Sequence, residues 1–276
     1  MEPGPKPIDG PGPSRPMFVA HRGGAARWPE NSLTAFRGAI ANGARVMELD
    51  VHLTADGEVA VMHDPTLDRT STGTGPLARC TAADLRRARL RAADGTLTDD
   101  CVPTLGEVLA LAAPAGVGLL VEIKTPGPAL TFECRGDVVE RVPGARYEGL
   151  EQKVLDRIAA AGCADRCVLM AFNPAVVAEV KRLAPAQPTT LLVDRHITFA
   201  GVQPIEAVEW ARTAGANFLG LHYSLCDQAL VDAAHGAGIA VGVFTVNDIA
   251  TRDRLVAAGV DVIITDRPEL IPADAA

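Results

Sequence analysis

Aromatic side chains are scarce in this chain: two Trp, two Tyr and seven Phe make up 4% of 276 residues. So few rings disfavour a base-stacking platform. Positive charge is short as well, with 26 Lys and Arg against 34 Asp and Glu, a formal charge of −8 and a pI near 5.3. Nucleic-acid binding draws its affinity from Lys and Arg on phosphates, so no nucleic-acid partner is expected. Long apolar runs are missing. The longest, Val108 to Val121, is broken by Pro114, Gly116 and Gly118 and falls short of the ~20 residues a spanning helix needs. No integral membrane association is expected. The six cysteines form no CxxC pair, and nothing near Cys163 and Cys167 completes a metal site. Free thiols in a reducing cytoplasm are the expectation. There is also no P-loop, no G-x-G-x-x-G after a strand, no G-x-S-x-G and no H-E-x-x-H. Nucleotide hydrolysis, dinucleotide redox and serine hydrolysis lose ground accordingly.

What is present is an ample core, at 48% hydrophobic residues, arranged in alternating strand and helix patterns. Met1 to Pro16, with six Pro and three Gly, reads as a disordered leader and not a signal peptide. Beyond it, short apolar runs predict strands at Met17–Ala20, Arg45–Leu53, Gly118–Ile123, Cys167–Ala171, Thr189–Val193, Phe218–Leu221, Ala240–Thr245 and Val262–Thr265. Helix signals lie between them. Leu33, Phe36 and Ile40 make an i, i+3, i+7 stripe; Thr104 and Glu107 spell a capping box; Asn173-Pro174 supplies an N-cap and a first-turn proline. Eight strands joined by helical crossovers predict a single (β/α)8 TIM barrel over 17–276. Two connections exceed ordinary barrel loops: an insertion after strand 2, about 65–103 with a short helix expected at Ala82–Leu90, and a loop at about 126–149. Both follow strands and so belong to the C-terminal face, as surface insertions or as walls of a site.

Polar residues that interrupt apolar strands carry the chemistry. In Val46-Met47-Glu48-Leu49-Asp50-Val51-His52, a period of two puts Glu48, Asp50 and His52 on one face. Two buried carboxylates side by side are costly unless a cation lies between them, and oxygen donors favour a hard ion, Mg²⁺ or Ca²⁺. The alternative is an exposed edge strand with a polar face. Val121-Glu122-Ile123-Lys124 repeats the pattern. Glu122 would complete the carboxylate set and Lys124 would hold a phosphate oxygen, or the two would form an internal ion pair. His21-Arg22 and His63-Asp64 follow strands or turns. Two histidines beside charged partners suit general acid and base work, and Arg22 suits an anionic oxygen.

Taken in order, HRG (His21–Gly23), EN (Glu30-Asn31), ELDVHLTADGEVAVMHD (Glu48–Asp64), PTLGEVL (Pro103–Leu109), VEIK (Val121–Lys124), TVN (Thr245–Asn247) and DVIITDRP (Asp261–Pro268) closely resemble the glycerophosphodiester phosphodiesterases, from about Val19 to Pro268. The resemblance implies a (β/α)8 barrel with an insertion after the second strand. It also implies metal-dependent hydrolysis of a small glycerophosphodiester, such as glycerophosphocholine or glycerophosphoethanolamine, to an alcohol and sn-glycerol 3-phosphate. Carried over by position, Glu48, Asp50 and Glu122 match metal ligands and His21 and His63 the acid–base pair. Arg22 and Lys124 match phosphate contacts, and Glu30 and Asn31 lie near the site. Phe172 and Phe244 join the expected substrate-binding set. Phe244 stands where the family often has Trp, and His52 where Gln is common. The resemblance leaves open whether water or the glycerol 2-hydroxyl attacks first, which histidine is the acid, and the oligomeric state. Two rivals are a lysophospholipid- or sphingomyelin-type phosphodiesterase using apolar loops, and a catalytically silent phosphoester-binding barrel. The charges of Arg135, Asp137, Glu140, Arg141 and Arg146 argue for a small deacylated substrate.

Overall fold

A computed structural model describes residues 16–135 and 138–271; the leader expected over residues 1–16 lies outside them except for Pro16. Eight parallel strands form the frame: β1 (Met17–Ala20), β2 (Val46–Leu53), β3 (Gly118–Ile123), β4 (Cys167–Ala171), β5 (Thr189–Val193), β6 (Phe218–His222), β7 (Ala240–Phe244) and β8 (Val262–Thr265). Each pairs with its neighbours in sequence, β8 pairs with β1, and the register contact Ala20↔Met47 joins β1 to β2, so the sheet closes. The eight expected strands are the eight of the barrel.

Alternation within the strands separates two cores, as a period of two requires. Met47, Leu49, Val121, Leu169, Leu191 and Leu219 face outward and pack under the helices. Val19, Val46, Leu120, Val168, Met170, Leu192 and Ile264 fill the interior. Space inside is tight: a Cβ on Gly220 of β6 would lie 2.5 Å from Leu192 Cδ2. This apolar plug floors the barrel, so only the C-terminal ends of the strands can carry a polar site.

The helices follow their sequence signals. Ser32 caps α1 (Leu33–Ala41), accepting from the Ala35 amide. The Thr104–Glu107 capping box starts α2 (Leu105–Ala115). Pro114 sits in the last turn of α2, where a proline removes one hydrogen bond without breaking the helix. Next come α3 (Leu150–Ala160) and α4 (Pro174–Leu183), the latter capped by Asn173 as expected. The remaining three are α5 (Glu206–Thr213), α6 (Gln228–Gly236) and α7 (Ile249–Ala257).

Beyond the barrel edge, β2 turns back through Ala55-Asp56-Gly57 to pair antiparallel with Val59–Val61, and this return positions His63. The insertion that follows has its own small core, with Leu67, Leu77, Leu85 and Leu90 buried. Its helix is shorter than expected. It ends at Leu85, and Arg89–Arg91 is a strand paired with Leu97–Cys101. The alternation Arg89, Leu90, Arg91, with only the central residue buried, is a period of two that the longer helical reading overlooked. The connection at about 126–149 also differs from a loop: Leu130–Arg135 and Val138–Pro143 pair as a hairpin. Asp137 lies outside the described residues. The five cysteines whose side chains are described are free thiols. Among the described residues no helix is long and apolar enough to cross a membrane.

Candidate active site

The site begins at the end of β1. His21, Arg22 and Gly23 form a single tight turn in which Arg22 has φ 50°, a left-handed conformation unusual for a residue with a side chain. A Cβ on Gly23 (φ 79°) would lie 2.8 Å from Ala35 Cβ, so glycine lets this turn press against α1. The turn aims the Arg22 amide at Glu48 Oε2, 3.0 Å away, and sets its guanidinium 3.4 Å from Asp50 Oδ2 and 3.1 Å from Glu30 Oε1. Asn31, also left-handed at φ 57°, donates to Asp50 Oδ2 at 2.8 Å. Strained backbone at two neighbouring positions of one cleft is the pattern of a site where placement outweighs local comfort.

Glu48, Asp50 and Glu122 converge from β2 and β3, which pair in register with Asp50 opposite Glu122. All three are buried, and one oxygen from each lies within 4.8 Å of the others. Lys124 Nζ stands 2.9 Å from Asp50 Oδ1 and 2.6 Å from Glu122 Oε1. The ion pair that the sequence allowed as an alternative is therefore formed. It does not satisfy the cluster. Asp50 Oδ1 is buried without a well-directed hydrogen bond. Burial, with Asp50 and Glu122 nearby, pushes the Glu48 carboxyl well above the usual range. Burial also raises Glu122 to about 7 against the pull of Lys124. For Asp50 the order reverses: burial favours the neutral form, but Lys124 and Arg22 hold it well below its ordinary value. Carboxylates driven toward protonation mark a site short of positive charge. Three convergent oxygen donors fit a hard divalent cation.

The two histidines are held alike. His21 Nδ1 is 2.6 Å from Asp266 Oδ1, and its Nε2 is 3.7 Å from Glu48 Oε2. Asp266 is itself fixed, accepting from Asn247 Nδ2 at 2.7 Å while its amide donates to Asn247 Oδ1 at 3.0 Å. His63 Nδ1 is 2.7 Å from Asp64 Oδ1. Arg69, from the insertion, donates to both Asp64 oxygens at 2.5 and 3.0 Å and to both Glu30 oxygens at 2.7 and 3.0 Å. A continuous chain of contacts thus runs from His63 through Asp64, Arg69 and Glu30 to Arg22. Burial favours a charged carboxyl's neutral form, but the Arg69 and His63 hydrogen bonds bring Asp64 to about 2. Burial and then Lys124 lower His63, keeping its imidazole neutral near pH 7.

His52 shares the strand face of Glu48 and Asp50 but stays outside the cleft. Its Nε2 lies 3.1 Å from the His63 carbonyl and its Nδ1 3.0 Å from Tyr147 Oη, and burial lowers it to about 4. It braces the backbone of His63 as a neutral ring.

The cleft, about 280 Å³, is lined by His21, Arg22, Glu48, His63, Glu122 and Lys124 together with Phe172 and Phe244, the Lys124 ammonium lying 6.0 Å from the Phe172 ring centroid. Those rings meet edge to face at 5.7 Å. Asn31 and Glu30 stand behind it, through Asp50 and Arg22. The structure thus brings together the eleven residues expected to form the site, while His52, which shares the strand face of Glu48 and Asp50, stays outside the cleft. Sequence reasoning missed four partners: Asp266, Asn247, Arg69 and the wall residue His222. For Asp266 and Asn247 a signal existed, in the DRP and TVN motifs at two strand ends.

The glycerophosphoryl diester phosphodiesterase family model matches residues 21–270. A glycerophosphodiester phosphodiesterase of Caldanaerobacter subterraneus is 30% identical over 92% of this chain and 96% of its own. A Mycobacterium tuberculosis relative is 34% identical over 92% and 90%. A crystal structure from Agrobacterium tumefaciens superposes with a TM-score of 0.79 at 27% identity, covering 93% of this chain and 96% of that one. An Oleispira antarctica phosphodiesterase, solved with its product sn-glycerol 3-phosphate, has the same fold at a TM-score of 0.72 and 24% identity, covering 92% and 94%. A family model matched over most of the length and relatives at 30% and 34% identity show that the chain belongs to the glycerophosphoryl diester phosphodiesterase family.

Proposed function

We propose that this phosphodiesterase cleaves glycerophosphodiesters to an alcohol and sn-glycerol 3-phosphate, with a divalent cation, Mg²⁺ or Ca²⁺, on Glu48, Asp50 and Glu122 and with His21 and His63 as the acid–base pair. The observation that carries this reading is the matched anchoring of the two histidines. Each has a carboxylate on Nδ1 and lines the same cleft. That arrangement fixes the ring and the tautomer, leaving Nε2 to exchange a proton with substrate.

A bound cation would supply Lewis-acid polarisation of a phosphoryl oxygen. The remaining work falls to the chain. Arg22, held by Glu30 on one side and Asp50 on the other, presents its guanidinium to the phosphoryl group, where charge accumulates as the new P–O bond forms. Lys124 adds a second fixed positive charge at the cleft wall. One histidine removes the proton from the attacking hydroxyl, and the other delivers a proton to the departing alkoxide as its bond to phosphorus breaks. Phe172 and Phe244 form the apolar part of the cleft wall, with Phe172 next to Lys124, and keep bulk water off it. Asn31 positions Asp50 by donating to it. The reading places the enzyme on small diesters inside a cell, with cytoplasmic action following from its free thiols.

Hydrolysis in ¹⁸O-labelled water tests the assignment. Label is expected in the phosphate of sn-glycerol 3-phosphate, with the free alcohol unlabelled. Label in the alcohol, or release of glycerol with a phosphorylated alcohol, would contradict it.

A further inference from the structure

A second pocket of about 200 Å³ opens beside the catalytic cleft and shares Phe172, Leu192 and Asp194 with it. Its inner wall comes from the barrel through Leu191 and Leu192, its back from Trp210 and Ile197, and its roof from Leu130 and Arg141 of the hairpin after β3. The lining is mostly apolar. Arg141 stacks over the Trp210 ring at 4.1 Å, so the aromatic face is already occupied by a cation. Asp194, at the shared mouth, is occupied too: it accepts from the His196 amide at 3.0 Å and contacts Nδ1 of the His196 ring.

These facts decide what the pocket can take. A glycerol moiety placed there would bury hydroxyls against side chains that offer few partners, at a cost in free energy. A quaternary ammonium would meet Arg141 where it would need an open ring face. An uncharged hydrocarbon meets neither penalty. In size, an apolar cavity of ~150 Å³ accepts benzene, so this one holds an aryl group or a short alkyl chain and stops well short of a long acyl chain. We propose that the pocket is the leaving-alcohol subsite and selects diesters whose alcohol carries a compact apolar group. The inference rests on the hydrolytic reading above and deepens it. The charged side chains of this connection argued from sequence for a small deacylated substrate, and a compact apolar alcohol keeps within that class. Folded as a hairpin, the same segment lines this pocket with Leu130 and with Arg141, which stacks on Trp210 of α5.

The test is kcat/KM of the full-length protein, with Mg²⁺, for glycerophosphodiesters of ethanol, butanol, hexanol and octanol. Two further diesters carry choline and its neutral carbon isostere, 3,3-dimethylbutanol. Each methylene entering the pocket should raise kcat/KM about fourfold, with a plateau once the pocket is full, and the isostere should outrun choline. Leu130→Asp and the milder Leu130→Asn should flatten the hexyl-to-ethyl ratio. That ratio is read within each variant, so poor folding, which lowers both rates, leaves it unchanged. A flat series, a choline diester faster than its isostere, or an unchanged ratio in both variants would overturn the subsite while leaving the hydrolytic reading intact. Hydrolysis of no diester in the panel would overturn both.

Discussion

Asp266 Oδ1 lies 2.6 Å from His21 Nδ1 across 245 residues of sequence, joining the end of β8 to the turn after β1. The contact crosses the seam where the barrel closes, so the geometry of one histidine depends on the closure of the sheet. Burial works against an ionised Asp266, but the bonds from His21 and Asn247 hold its pKa below the ordinary value. It stays a carboxylate through the neutral range, with its oxygen on Nδ1.

Asp266→Asn keeps the shape and removes the charge, freeing the imidazole to adopt the wrong tautomer. The expected result is a fall in kcat of about 10²-fold, at the low end of what one acid–base group contributes, with KM and Tm little changed. Steady-state kinetics beside a thermal melt would check it. An unchanged kcat would show that Asp266 only closes the barrel.

His21→Ala and His63→Ala should each lose about 10²- to 10⁴-fold in turnover and still fold. An activated aryl leaving group needs no proton on departure. A p-nitrophenyl glycerophosphodiester should therefore rescue the variant that lost the acid and leave the other impaired. Comparing rates on aryl and alkyl diesters assigns the two roles. Rescue of both variants, or of neither, would contradict a division of labour between them.

Arg69 is half-exposed, with a side-chain accessibility of 49%, yet it bonds both Glu30 and Asp64. Exposed ion pairs add little stability because water screens them. Their use here is placement, since the same guanidinium orients the partners of Arg22 and His63. Arg69→Met should lower kcat/KM by about tenfold, the smaller effect typical of outer partners, while moving Tm little. Arg69→Lys should recover only part, because an ammonium cannot bridge two carboxylates with paired donors. A large loss of Tm, with activity per folded molecule intact, would mark the residue as merely structural.

The acidic cluster predicts a pH dependence with a definite sign. Glu122 titrates near 7 in the metal-free fold, above its ordinary value. A carboxyl raised by folding keeps its full contribution at low pH and loses it as pH rises through the folded pKa. The contribution of Glu122 to Tm in EDTA should thus fall between pH 5 and pH 8, against the opposite pull of His52, which folding lowers to about 4. Cation binding needs the carboxylate, so the Tm gained from Mg²⁺ or Ca²⁺ should be larger at pH 8 than at pH 5.5. Glu122→Gln should remove most of both effects. Parallel melts with and without cation would settle the sign.

How much was legible in the sequence follows from what each feature needs. Barrel strands are buried on both faces, so they appear as short apolar runs. The strands in which polar residues interrupt an apolar run marked Glu48, Asp50 and Glu122 directly. Capping at Thr104 and Asn173 was legible because it is local. Arg69 was not legible, since nothing near it predicts that the insertion folds back on Glu30, 39 residues earlier. The first strand of the hairpin after β3 was legible but overlooked: Leu130-Thr131-Phe132-Glu133-Cys134-Arg135 alternates apolar and polar residues, the period of a strand. His52 shows the limit of periodicity. It shares a face with Asp50, yet its two ring nitrogens are taken by Tyr147 Oη and the His63 carbonyl, outside the cleft.

Release of sn-glycerol 3-phosphate from a panel of glycerophosphodiesters, titrated with Mg²⁺ and Ca²⁺ after EDTA treatment, decides whether Glu48, Asp50 and Glu122 hold the cation that hydrolysis needs. The expected result is loss of release in EDTA, full recovery with one or both cations, and no recovery in Glu48→Gln or Asp50→Asn. Release that persists in EDTA, or equal recovery in the carboxamide variants, would contradict the assignment of the cation to this cluster.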